Sequence, residues 1–174
     1  MSDNSYVAEN MFDYILREAG FKNLAYNYEA EKLLQIAEEV RPGRVKNVEE
    51  QRNSVGKQTR WRLTSGKTIL DWVYGIDTVI APEGESNSKR FGFDVTLDPT
   101  EVKHKIEKLK SFNPLWKAIG IKKTAVVLLV VPKDFGFNLL SNPQKENLVE
   151  QLLENIIYPM DEQTTPVRSY ILTV

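Results

Sequence analysis

Apolar residues recur at helical spacing near both ends of the chain and crowd into strand-like runs in its middle. Residues 7–19 place Val7, Met11, Ile15 and Ala19 on one stripe, and Gly20 suits a C-terminal cap. Residues 28–40 predict a second helix. Asn27 is its N-cap, Glu29 and Glu31 favour its first turn, and Pro42-Gly43 ends it. Its inward stripe is Ala30, Leu33, Leu34, Ala37 and Val40. Residues 41–58 are polar and read as a loop or an exposed strand. "TRWRLTSGKTILDWV" reads as two short strands around Ser65-Gly66, with a short helix over 68–74 as the alternative.

The middle of the chain predicts a β-hairpin. "GIDTVIA" and "RFGFDVTLD" flank "PEGESNSK", which is rich in turn formers and charge. Pro99 opens a helix with Val102, Ile106 and Leu109 on its inner stripe, since proline is tolerated in a first helical turn. Asn113-Pro114 ends it. "TAVVLLVV", residues 124–131, has no alternation and many β-branched residues, the pattern of a strand covered on both faces. "NPQKENLVEQLLENII" is an amphipathic helix with Leu148, Leu152 and Ile156 inward, and "VRSYILTV" reads as an edge strand. A helix between residues 97 and 124 predicts a right-handed crossover to a parallel strand. The fold class is α/β, a mixed sheet flanked by helices, in a single domain spanning residues 1–174.

Composition narrows the chemistry. The chain has no cysteine and one histidine, His104. Disulfides, cysteine nucleophiles and thiolate zinc are excluded, and a histidine-rich metal site is too. The 24 acids remain as candidate metal ligands. The first residues lack the basic and apolar regions of a signal peptide, and "AVVLLVV" is too short to span a bilayer, so a cytoplasmic location without a membrane partner is expected. Net charge is −1, but residues 103–123 carry seven lysines against one acid, Glu107. Lys57, Arg60, Arg62 and Lys67 form a second basic set. Such patches can hold a polyanion locally; solvated helix faces are the plainer reading.

The hairpin brings two aspartates together. A symmetric loop sets Ile80 opposite Phe91, Thr78 opposite Phe93 and Ile76 opposite Val95, an apolar face. On the other face Val79 opposes Gly92, Asp77 opposes Asp94, and Thr96 follows opposite Gly75. Opposed side chains lie about 4.5–5.5 Å apart at Cβ, where like charges repel. Two carboxylates so placed need a cation, and a hard divalent ion such as Mg²⁺ or Mn²⁺ suits oxygen ligands. Gly75 and Gly92 beside the pair would admit a ligand or another backbone. The plainer alternative is a pair of solvent-facing acids.

These residues resemble the PD-(D/E)XK, or restriction-endonuclease-like, nuclease superfamily. "GID" ending at Asp77 resembles its first acidic element. "DVT", Asp94 to Thr96, resembles its acid-x-lysine triplet. "PTEVKHKIEKLK" and "TAVVLLVV" resemble the helix and strand that follow. The resemblance spans about residues 28–131, leaving a C-terminal helix and strand over about 141–174. It implies metal-assisted phosphodiester hydrolysis, with Asp77, Asp94 and the Val95 carbonyl holding Mg²⁺ or Mn²⁺.

The triplet lysine is replaced by Thr96. Lysine on the following helix is the implied substitute, as in some members. Lys105 lies about 60° from the inner stripe and Lys103 about 100° away on the other side, which favours Lys105. The family's first-helix acid would correspond to Glu31 or Glu38. Lys103, Lys108, Lys117, Lys122 and Lys123 would hold backbone phosphates. Nucleic acid is the expected partner, DNA before RNA, with a protein partner or a second copy of the chain as further candidates. Thr96 favours an alternative, an inactive nuclease-like fold acting as a nucleic-acid-binding or assembly subunit. An unrelated α/β interaction protein is the third reading.

Overall fold

A computed structural model describes residues 3–54, 65–132 and 140–174. Helix α1 runs Asp3–Glu18 and ends at Gly20, whose φ of 88° is the left-handed conformation that closes many helices. Its buried face is Ala8, Phe12, Ile15 and Leu16, while Val7 is 43% exposed. Of the expected stripe, Ile15 is buried and Met11 and Ala19 pack partly against the core, while Val7 faces out and Phe12 and Leu16 take the deepest positions. The larger Phe12 wins because its ring packs edge-on against Phe93, centroids 5.1 Å apart.

Helix α2 runs Ala30–Val40, with Leu33 and Ala37 buried. Asn27 is not its cap. It ends a 3₁₀ turn over Leu24–Asn27, and Glu29 occupies the N-cap position without a side-chain bond. Within the polar segment 41–58, Arg44–Ser54 form helix α3 instead of the expected loop or strand, and 55–58 lie outside the described residues. Its buried anchor, Val48, sits in a sequence too polar to show a stripe. Ser65 then caps α4, Gly66–Ile69, which widens into a π-type turn over Leu70–Tyr74. The helical alternative for 68–74 thus holds over the strand reading. The expected strand over 59–64, with Trp61, and the basic residues Lys57, Arg60 and Arg62 lie outside the described residues.

Strands β1, Thr78–Ile80, and β2, Arg90–Thr96, pair antiparallel with Thr78 opposite Phe93, Val79 opposite Gly92 and Ile80 opposite Phe91, the expected register. Pro99 opens a 3₁₀ turn, capped by Asp98, that leads into α5, Val102–Ser111; α6, Asn113–Ala118, follows. Strand β3, Ile121–Val130, lies parallel to β2, so the chain crosses through α5 and α6 to a parallel neighbour as expected. Helix α7, Asn142–Leu152, continues through a second π-type turn, Leu153–Ile157, into α8, Tyr158–Glu162. Strand β4, Val167–Thr173, closes the sheet parallel to β3, at the edge of the order β1-β2-β3-β4. The result is α/β: a mixed sheet between helices. No helix among the described residues is long and apolar enough to cross a membrane.

Side-chain alternation along β2 and β3 sends residues to opposite faces, and both faces are covered. Phe91, Phe93, Val95, Ala125 and Val127 pack with α1 and the α7–α8 segment. Val79, Val126 and Ile121 pack with α2, the π-type turn, α5 and α6. Ile76 joins this second cluster, not the Val95 face expected for it, because the ladder stops at Thr78. Gly92 makes room for it: a Cβ there would meet Ile76 Cδ1 at 3.0 Å. Its openness serves packing, not a ligand.

Gly75 is different. It ends the π-type turn at φ 74°, and a Cβ there would meet Phe112 Cδ2 at 3.1 Å and Lys108 Cε at 3.3 Å. Gly75→Ala should lower unfolding free energy by about 1–3 kcal/mol, through left-handed strain plus displacement of α5. Gly20→Ala, with nothing within 4 Å of the added Cβ, should cost less, since only the backbone term applies. Urea unfolding of both variants checks the order; equal losses would mean that contact with α5 contributes nothing.

Candidate metal and phosphodiester site

Asp94 projects from the face of β2 that α5 covers, and only 2% of its side chain is exposed. Lys105 Nζ donates to its Oδ1 at 2.8 Å. Lys108, one turn further along α5, places Nζ 3.3 Å from Oδ2 without the alignment of a hydrogen bond, so that buried oxygen keeps an open lone pair. Burial works to raise the Asp94 carboxyl, but Lys108 and Lys105 outweigh it and hold the group below the usual carboxylate range. Asp94 in turn keeps Lys105 charged against its own burial.

Asp77 precedes β1 and leaves the regular ladder. Its N–H donates to the Phe93 carbonyl at 2.8 Å, and its Oδ2 accepts the Val95 N–H at 3.1 Å. The carboxylate thus supplies the acceptor that a longer β1 would have offered from its backbone. Burial, Asp94, Asp71 and Glu9 together push Asp77 well above the usual range. The two aspartates are therefore pushed in opposite directions, Asp94 toward the ionised form by its lysines and Asp77 toward the protonated form by burial and neighbouring acids.

Two acids that sequence reasoning passed over complete the arrangement. Glu9 comes from α1 and Asp71 from the π-type turn. One carboxylate oxygen each from Glu9, Asp71 and Asp77 lie within 4.8 Å of one another. Lys67 lies 3.6 Å from Glu9 and moderates the repulsion. The signal for Asp71 was an acid inside the apolar run "TILDWV"; Glu9 follows the small buried residue Ala8. Three crowded oxygens with partly uncompensated charge fit a hard divalent cation.

A cavity of about 520 Å³ opens onto these groups. Asp77, Asp94, Val95, Lys105 and Lys108 line it, together with Glu9, Asp71, Arg44 and His104. Thr96 does not: its hydroxyl donates to Glu101 at 3.3 Å and accepts the Asp98 N–H at 3.0 Å, bracing the turn into α5. Comparisons with protein-family models, with curated proteins and with solved structures give no match.

The other candidates lie elsewhere. Glu31 is exposed on α2, and Glu38 accepts the Gly43 N–H at 2.9 Å, in the turn just before α3. Lys103 and Lys122 are exposed. Lys117 lies over the Trp116 ring, 5.9 Å from its centroid, and Lys123 donates to the Asp161 carbonyl. Lys123 pairs with Phe91 in the ladder, three residues from Asp94 along β2, or about 10 Å. Arg44, not the 117–123 lysines, is the further cation at the cavity. It donates to the Val73 and Trp72 carbonyls at 3.3 Å, and its guanidinium stacks on Phe112.

The two aspartates should respond oppositely to neutralisation. Above the ordinary carboxyl range the unfolded chain has lost the Asp77 proton while the folded chain retains it. Stability therefore falls as pH rises through the raised folded value. For Asp94 the stabilisation is present above the ordinary value and is lost as pH falls through the lowered one. Without added metal, Asp77→Asn should raise neutral-pH stability and flatten the decline that begins above the ordinary carboxyl range. Asp94→Asn should cost roughly 3 kcal/mol, because it strands Lys105. Urea unfolding across pH measures both; destabilisation by Asp77→Asn would refute the proton assignment.

Proposed function

We propose that the chain is a metal-dependent nuclease that hydrolyses phosphodiester bonds in nucleic acid at the Asp77–Asp94–Lys105 cavity. The observation that carries this reading is convergence. Carboxylates from α1, the π-type turn, the start of β1 and β2 meet a lysine from α5 at one open cavity. A structural ion pair alone would not need the three further acids.

Asp77, Glu9 and Asp71, with Asp94 and the Val95 backbone beside them, would hold the ion. Mg²⁺ or Mn²⁺ held there would supply an acidified water and polarise the phosphate. The chain's own residues do the rest. Asp94 fixes Lys105 at the cavity and keeps it protonated. Lys105 neutralises charge on the phosphate oxygens as the bond breaks. Arg44 and Lys108 draw the phosphate in. Thr96 is relieved of the usual lysine role and instead positions the helix that carries Lys105. On this reading the site follows the PD-(D/E)XK pattern, with the lysine moved to the helix.

A second reading, binding without cleavage, is favoured by one feature: Asp94 already engages both Lys105 and Lys108. Labelled DNA and RNA incubated with Mg²⁺ or Mn²⁺ separate the two. Cleavage should stop with chelator and with Asp77→Ala, and Lys105→Ala should slow it roughly 100-fold. Salt-sensitive binding with no cleavage would support the second reading; absence of both would reject both. Calorimetric titration should show Mn²⁺ binding that strengthens as pH rises, since the metal must displace the Asp77 proton, and that Asp77→Asn abolishes.

A further inference from the structure

A second cavity, of about 270 Å³, lies directly beside the first. The two share a wall made by Glu9, Asp71 and Trp72. Small-molecule sites typically occupy ~300–1,000 Å³, so this one has the size for a single flat group. Its rim carries two tyrosines that the fold leaves bare: Tyr6 is 64% and Tyr26 65% exposed. Lys67 lies 6.0 Å from the centre of the Tyr26 ring. Exposed aromatic rings beside a phosphate-directed cavity are stacking platforms.

The interior of the cavity is polar and incompletely satisfied. Asp13 Oδ1 is buried without a hydrogen-bond partner, which is costly unless a donor reaches it. Asn23 uses its Oδ1 twice, accepting from the Ala25 N–H at 3.0 Å and the Val79 N–H at 3.1 Å. Those bonds fix the amide by its oxygen, so its NH₂ is the part left for another acceptor. Asp13 and Asn23 thus bring a carboxylate and an amide to the same cavity lining as Tyr6 and Tyr26. The edge of a nucleobase has that complement, N–H donors beside ring or carbonyl acceptors.

We propose that this cavity binds one unstacked base of the substrate strand, next to the phosphate engaged by the Asp77–Asp94–Lys105 cavity. The inference rests on the nuclease reading for the identity of the strand. Tyr26 and Tyr6 stack on the base, Asp13 accepts an N–H from its pairing edge, and Asn23 donates to an acceptor there. In a duplex that edge is already paired, so the site selects single-stranded or locally opened nucleic acid.

Fluorescence anisotropy with metal chelated tests this on the full chain. The probes are a short labelled DNA strand, the same sequence as a duplex, and a strand of equal length with every base removed. The intact single strand should bind tightest. Tyr26→Ala should weaken it roughly tenfold while leaving the abasic strand unchanged. Asp13→Asn should alter the ranking of poly-dA, poly-dC and poly-dT, which a general loss of structure would not do. Equal binding of intact and abasic strands, or no effect of Tyr26→Ala and Tyr6→Ala, overturns the proposal. Cleavage in Mg²⁺ or Mn²⁺ with base-independent binding rejects this site and leaves the nuclease standing. Base-dependent binding without cleavage does the reverse.

Discussion

Asp94 is a carboxylate taken almost wholly out of water in the middle of a sheet face, and the surrounding architecture answers its desolvation. Burying an ionised group costs several kcal/mol unless charge and hydrogen bonds compensate. Lys105 and Lys108 supply that compensation one helical turn apart, so α5 must lie across β2 at a particular height and rotation. Leu109 on the same helix is buried beneath them, which joins the polar clamp to the apolar core. Gly75 is bare where the Lys108 stem and Phe112 press against the chain. Asp98 and Thr96 cap and brace the start of that crossover.

Around this clamp the fold gathers acids that repel one another. Asp77 accepts the Val95 N–H and gains a place in the sheet by doing so, yet Asp94, Asp71 and Glu9 all oppose its ionisation. Such an arrangement stores unfavourable electrostatics at one point, and active sites are where that is commonly found. The π-type turn contributes in a similar way. Its widened backbone ends at a left-handed glycine and sets Asp71 toward the acids while Val73 and Tyr74 stay in the core. Turns of this kind are frequent at functional sites.

The proposed base pocket follows from the same geometry. Glu9 and Asp71 face the acidic cavity, and the surfaces just beyond them, from α1 and the turn before α2, form the neighbouring one. A nucleotide spans a phosphate and a base, and the shared wall divides the space accordingly. Affinity would then come from two sources with different salt responses: cations for the backbone and stacking for the base.

Much of the central architecture was legible in the chain itself. Strand period, turn formers over 82–89 and the loop's symmetry placed Thr78 opposite Phe93, and the unbroken apolar run at 124–131 marked a strand covered on both faces. Helical phase favoured Lys105 over Lys103 for the inward position. These are local properties, determined by backbone periodicity and side-chain volume. The partners of the acids are not local. Glu9 lies far from Asp77 in sequence, and the burial of Ala8, Phe12, Ile15 and Leu16 against the sheet turns α1 so that Glu9 faces the site. Helix α3 has too little apolar patterning to declare itself, and its Arg44 reaches the cavity through tertiary contacts with Trp72, Val73 and Phe112. The sequence by itself determined the hairpin, the crossover and the nearness of Asp77 to Asp94. Tertiary structure alone brought Glu9 and Asp71 to Asp77 and set the direction in which each aspartate is pushed, because that depends on burial and on charges brought from other elements.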